Sequence, residues 1–212
     1  MGTFIGGILG PFSGKVGAVV GSSWKGIDYM RGRSRKRRSA TGTLEQETHR
    51  AKFSLVSKFL RAFRSIISFG FTNLPVNQTA YNAALAQGME AVVGEYPELK
   101  IDYVRTFVTN GKLEKADSPS AVSNTPGGIN FSWTDNSGSD DARPDDKAVL
   151  LAYCESLNSA VYNKAGATRN SGADTLSAKA FAGKEVHTWI AFVSKDGKQI
   201  SPSLYCGPVM VQ

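Results

Sequence analysis

Side chains suited to acid–base or nucleophilic chemistry at neutral pH are scarce in this chain. Its 212 residues hold two histidines, His49 and His187, and two cysteines, Cys154 and Cys206. A thiol or hydroxyl nucleophile needs a base within hydrogen-bond reach. His187 could serve Cys154 or Cys206, but neither cysteine stands in a nucleophile motif. His49 lies in a basic stretch, and strand alternation puts His187 on the side of Glu185 and Trp189, where a structural role is expected. Two cysteines are too few for a disulfide scaffold and lack metal-ligand spacing, so both are expected to be reduced. No acid, base and nucleophile set can be assembled. The chain is therefore not expected to be an enzyme, and no catalytic residue, cofactor, metal or small-molecule substrate is expected.

Two further patterns fail on their chemistry. Residues 139–146 (SDDARPDD) hold enough oxygen ligands to suggest calcium. They lack the fixed alternation of a calcium loop, and Arg143 interrupts them, so a solvated loop is expected. Gly10-Pro11-Phe12-Ser13-Gly14-Lys15 has the wrong spacing and context for a phosphate-cradling loop.

The strongest local feature is residues 31–38, where Arg31, Arg33, Arg35, Lys36, Arg37 and Arg38 put six positive charges into eight residues. That density cannot sit inside a fold. Guanidinium groups match phosphate oxygens, and displacing counterions from a polyanion would make such binding salt-sensitive. Trp24, Tyr29 and Phe12 lie nearby and can stack on unpaired bases. No base-reading helix accompanies the run, so nucleic-acid binding through it would be sequence-independent. An acidic protein surface, including a second copy of the chain, fits the same charges, and both partners stay open here. The net charge of +7 is concentrated: residues 1–70 carry 13 Lys/Arg against 3 acids, and residues 71–212 carry 12 against 15.

The first residues are apolar and glycine-rich (MGTFIGGILG). They lack the leading positive charge and unbroken apolar core of a signal peptide. No apolar run reaches the roughly 18 residues of a membrane helix. A cytoplasmic or virion location without a membrane span is the expectation. Left in water, Phe4, Ile5, Ile8, Leu9 and Phe12 would form an apolar liability, so with Trp24 they are candidate assembly contacts.

These features must be carried by elements that the periodicity outlines. Residues 1–42 read as a leader, a two-stranded hairpin turning at Gly21-Ser22-Ser23, and a basic arm. Residues 43–69 read as a helix, with a capping-box pattern from Thr43 to Gln46 and an apolar face including Phe53, Val56, Phe63 and Ile66. A second helix over 77–93 makes a helical hairpin filling 43–98. From Lys100 the period changes to two, the sandwich is expected over 99–212, and strands are expected at 101–108, 128–134, 147–154, 160–164, 175–177, 185–194 and 204–211. Seven short strands with regular turns imply a β-sandwich.

Trp133 on an early strand, the apolar strand Val149–Leu150–Leu151–Ala152–Tyr153 and the late turn at 194–201 resemble a fibronectin type III domain over about residues 102–212. That resemblance implies an Ig-like fold and no particular activity. Across nearly the whole length, Gly14-Lys15-Val16-Gly17, Trp24-Lys25-Gly26, Arg50-Ala51-Lys52-Phe53, Tyr81-Asn82-Ala83 and residues 131–136 (FSWTDN) resemble an uncharacterised domain family of Bacteroides-type bacteria and their phages. It carries over no functional residue.

The expected fold class is α+β: an N-terminal β-hairpin arm and a helical hairpin, then a fibronectin III/Ig-like antiparallel β-sandwich. The expected function is a self-assembling structural subunit of a phage virion or a bacterial filament or shell. It would contact copies of itself through the N-terminal arm. The alternative is a sequence-independent nucleic-acid binder acting through residues 31–38.

Overall fold

Two-residue turns shape the N-terminal part of the chain. In the computed structural model, which describes residues 3–4, 10–33, 42–72, 74 and 78–212, that part is a four-stranded antiparallel meander. Its strands are β1 (Thr3–Phe4), β2 (Phe12–Val16), β3 (Val19–Trp24) and β4 (Ile27–Gly32), in spatial order β1-β2-β3-β4. Lys25 and Gly26 link β3 to β4 with φ of 50° and 80°. Positive φ at both central residues marks the tight turn whose twist suits a hairpin. The expected two-stranded hairpin turning at Gly21-Ser22-Ser23 is thereby corrected, because those residues lie inside β3. Gly21 serves a close approach instead: a Cβ there would lie 2.8 Å from ring carbons of Phe12.

The chain divides into two compact units, Met1–Thr43 and Leu44–Gln212. The second begins with α1 (Leu44–Ala62), α2 (Arg64–Gly70) and α3 (Ala80–Glu90). The single helix expected over 43–69 is broken at Phe63, whose N–H bonds to the Leu60 carbonyl three residues back (3.1 Å). The break leaves Phe59, Phe63, Ile66 and Ile67 all buried. Phe53, expected on the apolar face, is instead 48% exposed. α3 is capped by Thr79, whose hydroxyl accepts from the Asn82 N–H (3.2 Å), and Ala84 and Gly88 are its buried positions. The expected start at Asn77 lies outside the described residues.

After a short pair, β5 (Val92–Val93) with β6 (Lys100–Ile101), come the strands of the sandwich. These are β7 (Asp117–Thr125), β8 (Gly128–Thr134), β9 (Lys147–Cys154), β10 (Ser159–Asn163), β11 (Ala173–Ser177), β12 (Glu185–Val193) and β13 (Leu204–Met210). They form two antiparallel sheets, ordered β11-β8-β7 and β10-β9-β12-β13. The fold class is thus α+β with a fibronectin III-like sandwich. One expected strand is misplaced. Residues 102–108 are irregular, held by Ser203 Oγ accepting from the Val108 N–H (2.8 Å) and by Thr109 Oγ1 donating to the Ser201 carbonyl (2.9 Å). The first sandwich strand is β7 (DSPSAVSNT), which sequence patterning missed.

β9 and β12 are covered on both sides, which explains their almost unbroken apolar sequences. Ile129, Phe131 and Trp133 of β8 pack with Leu150, Ile190 and Phe192 between the two sheets. On the outer face of β9 and β12, Val149, Leu151, Tyr153, Trp189 and Ala191 pack with Phe59, Phe63 and Ile66 of the helices. Helices, four-stranded sheet and three-stranded sheet are three layers around two cores. Position 98/99, where the sequence suggested a boundary, falls in the loop joining the paired strands β5 and β6, inside this unit.

Candidate functional site

β4 is exposed at all six of its positions. The pairing register sorts the N-terminal sheet into two chemically different faces, since directly paired residues of an antiparallel sheet share a face. Val16 pairs with Val19, Gly14 with Gly21 and Gly21 with Met30. With Phe12, which is paired to Phe4, these residues make an apolar, glycine-rich face. On it Val16 is 44%, Val19 38% and Met30 72% exposed. Pairings of Lys15 with Val20, Val20 with Arg31, Ser22 with Tyr29 and Trp24 with Ile27 define the opposite face, which is basic and aromatic. There Trp24 and Tyr29 are each 44% exposed, and the Lys25 ammonium lies 5.2 Å from the Trp24 ring centroid.

This geometry regroups the residues singled out from sequence. Phe12 and Trp24, expected together as assembly contacts, lie on opposite faces. Arg31 is on the basic face, and the Arg33 N–H continues the ladder by donating to the Ala18 carbonyl (2.7 Å). Arg35, Lys36, Arg37, Arg38, Ile5, Ile8 and Leu9 lie outside the described residues. Phe4 is placed in β1, opposite Phe12. Lys15 on the basic face, and Val16, Val19 and Met30 on the apolar one, were missed as candidates. Reading Lys25-Gly26 as the turn would have exposed both groupings.

His187, Cys154 and Cys206, the base and thiols weighed for chemistry, lie in the second unit. His187 stacks on Tyr103 (ring centroids 3.8 Å, planes at 27°), and its Nδ1 shares a hydrogen bond with the Tyr205 hydroxyl (2.8 Å). Burial holds its pKa below the ordinary value, against the opposing pull of Glu185 and Glu155. Burial also pushes the Tyr103 and Tyr205 hydroxyls up, and takes Tyr153 to about 12. Both cysteines are free, Cys154 is buried, and burial pushes the Cys206 thiol up to about 12. A thiol so far from ionising is a poor nucleophile at neutral pH.

The acidic loop is only partly the solvated segment expected. Asp146 is buried and pairs with buried Arg169, Nη2 to Oδ2 at 3.2 Å. Arg169 also donates to Asn136 Oδ1 (2.7 Å) and the Glu114 carbonyl (2.9 Å), and its guanidinium lies 3.9 Å from the Phe192 ring centroid. Asp145 instead meets Lys195 at the surface (3.1 Å), which lowers its pKa. Among the described residues no cluster of three or more His, Cys, Asp or Glu is placed to hold a metal ion.

The sequence matches one family along residues 11–207, from the start of β2 through most of β13. The chain belongs to the family of unknown function DUF6266. The match takes in β2, β3 and β4 but not β1, so three of the four strands of the two-faced sheet lie within the matched span. A solved structure, the fn3 domain of human collagen alpha-1(XX) chain, matches at 16% identity with a TM-score of 0.36, covering 47% of this chain and 88% of that one. None of the curated proteins matches. No helix among the described residues is long and apolar enough to cross a membrane.

Proposed function

We propose that this DUF6266 chain is a structural, self-assembling subunit whose N-terminal sheet joins it to further copies of itself. One observation carries the reading: an apolar sheet face with Met30 72% and Val16 44% exposed. A small sheet gains its stability from a layer packed on its apolar face. The same face of a second copy is a self-complementary cover, with bulky Val16, Val19 and Met30 able to lie over Gly14, Gly21 and Gly32. Sheets stacked this way sit about 10 Å apart, and glycines permit that approach. The outer edge of β4, which among the described residues pairs only with β3, offers a second contact by strand addition. Repeated contacts of that kind build an open array, as in a phage virion or a bacterial filament or shell.

The chain would act without chemistry of its own. The stacked and hydrogen-bonded His187, the buried Cys154 and the Cys206 thiol that desolvation keeps protonated support that reading. Light-scattering mass on untagged protein tests the assembly. The expected result is a species well above the 22.7 kDa of one chain. Met30→Asp with Val19→Asp should remove the face-to-face contact and cut that mass sharply, to no more than edge pairing alone can hold, with the far-UV spectrum unchanged. A wild-type monomer, or an oligomer indifferent to both substitutions, would refute the proposal.

A further inference from the structure

The basic and aromatic face of the N-terminal sheet has a chemistry that assembly through the apolar face leaves unused. We propose that this face, formed by Lys15, Trp24, Tyr29, Arg31 and Arg33, binds single-stranded nucleic acid independently of sequence. Lys15, Val20 and Arg31 form one row across β2, β3 and β4, which puts the two cations about 10 Å apart at two interstrand spacings. Tyr29, Arg31 and Arg33 recur at every second position, about 7 Å apart along the strand. Trp24 lies across from Ile27, so two part-exposed rings occupy one end of the face and three cations the other. Asp28, the sole acid among residues 1–43 against eight Lys/Arg, pairs with Ser23 on the opposite face. Lys15, Arg31 and Arg33 take part in none of the ion pairs among the described residues.

Cations alone would suit any acidic surface. Cations beside flat, exposed rings suit a polymer in which phosphate charge alternates with unstacked bases. A duplex hides its base faces from the rings of Tyr29 and Trp24, so an unpaired strand is the better fit. The phosphates would lie along Arg31, Arg33 and Lys15, with bases on Tyr29 and Trp24.

Fluorescence anisotropy of the full chain with a labelled oligothymidylate, titrated across salt concentrations, tests the site. Arg31→Ser with Arg33→Ser should weaken binding at least tenfold at low salt. It should also flatten the log–log salt slope by about 1.4, or about 0.7 for each phosphate no longer neutralised. Tyr29→Ala should weaken binding by about tenfold with the slope unchanged, and Tyr29→Phe should keep it. Trp133 and Trp189 are 6% and 0% exposed, so quenching of tryptophan emission on binding reports Trp24. Met30→Asp on the apolar face should leave the slope as it is, which separates this inference from the assembly reading. No binding at low salt, or Tyr29→Ala without effect, would overturn the proposal. So would a duplex bound as tightly as the single strand, or weakening confined to substitutions at 35–38.

Discussion

β12 (EVHTWIAFV) and β4 (IDYMRG) are both ordinary antiparallel strands with good ladders, yet they live in opposite surroundings. β12 is central in its sheet and covered by helices on one side and by the second sheet on the other, so Val186 through Val193 are buried but for His187. β4 is an edge strand exposed along its whole length. Hydrogen-bonded pairing alone therefore does not tell a stabilising strand from a presenting one. What distinguishes them is whether a layer covers each face, and the free energy of a layer is mostly apolar area removed from water. The second unit holds its own layers, and within the N-terminal sheet β4 has an exposed side chain at every position.

Identical residue types placed in the two regions should therefore respond very differently. Arg169 is buried in a pair with Asp146 and lies against Phe192, whereas Arg31 is exposed on β4. Arg169→Ala leaves a buried carboxylate unpaired and should destabilise the fold by about 3–5 kcal/mol, read from the midpoint of urea unfolding. Arg31→Ala should stay within about 0.5 kcal/mol. Comparable losses from the two would break the contrast.

Tryptophans give a second matched pair. Trp189 packs edge-on to Phe63, with ring centroids 5.9 Å apart, and contacts Phe59 and Tyr205 between the helices and the sheet. Trp189→Ala should lower stability by about 3–5 kcal/mol through the cavity it leaves. Trp24→Ala, 44% exposed in wild type, should change the same midpoint by no more than about 0.5 kcal/mol while weakening oligonucleotide binding. A large fall in stability from Trp24→Ala would mean that its ring is a core residue rather than a presented one.

The same contrast explains which parts of the fold could be read from sequence. β8, β9 and β12 were legible because a covered strand leaves an apolar signature, alternating in β8 and nearly continuous in the other two. β7 was not, because an edge strand containing Pro119 and mostly polar residues has no such pattern. Val104, Phe107 and Val108 drew the first strand to the wrong place. Val104 is 69% exposed, and the backbone at Val108 is satisfied by Ser203, 95 residues later in the chain. The positive run at 31–38 was plain as composition, but its partition into faces depended on register. Taking Gly21-Ser22-Ser23 for the turn gives a different pairing and scrambles which side chains share a face. The pairing of Asp146 with Arg169 left no local trace, since only the sandwich topology brings them together.

His187 is the exception in β12, half-buried where its neighbours are fully buried, and it makes the second unit sensitive to pH. Its folded pKa lies below the ordinary 6.5 because burial disfavours the imidazolium. Above 6.5 both folded and unfolded forms are neutral there and the stability is fully present. As pH falls below 6.5 the unfolded chain takes the proton first, so stability declines until the folded pKa is passed and then levels. Thermal melts between about pH 7.5 and 5 should show that fall. His187→Gln, which keeps a polar partner for the Tyr205 hydroxyl without titrating, should flatten it. An unchanged pH profile in His187→Gln would assign the sensitivity to other groups.

Smallest in effect, and most direct on the contrast, is a pair of turn glycines. Gly26 (φ 80°) and Gly183 (φ 71°) each sit in left-handed backbone with nothing within 4 Å of an added Cβ. Alanine at either site should therefore meet the same backbone strain of about 1–2 kcal/mol and no clash. Gly183 leads into β12, and its N–H bonds to the Val211 carbonyl (2.8 Å), so strain there loosens the way into the buried sheet. Gly183→Ala should appear as a lower unfolding midpoint with oligonucleotide affinity intact. Gly26 fixes how β3 pairs with β4, and so which residues share the basic face. Gly26→Ala should leave the main unfolding midpoint nearly unmoved and weaken oligonucleotide binding instead. If both alanines lowered the midpoint equally and neither touched binding, β4 would be a strand of the same kind as β12.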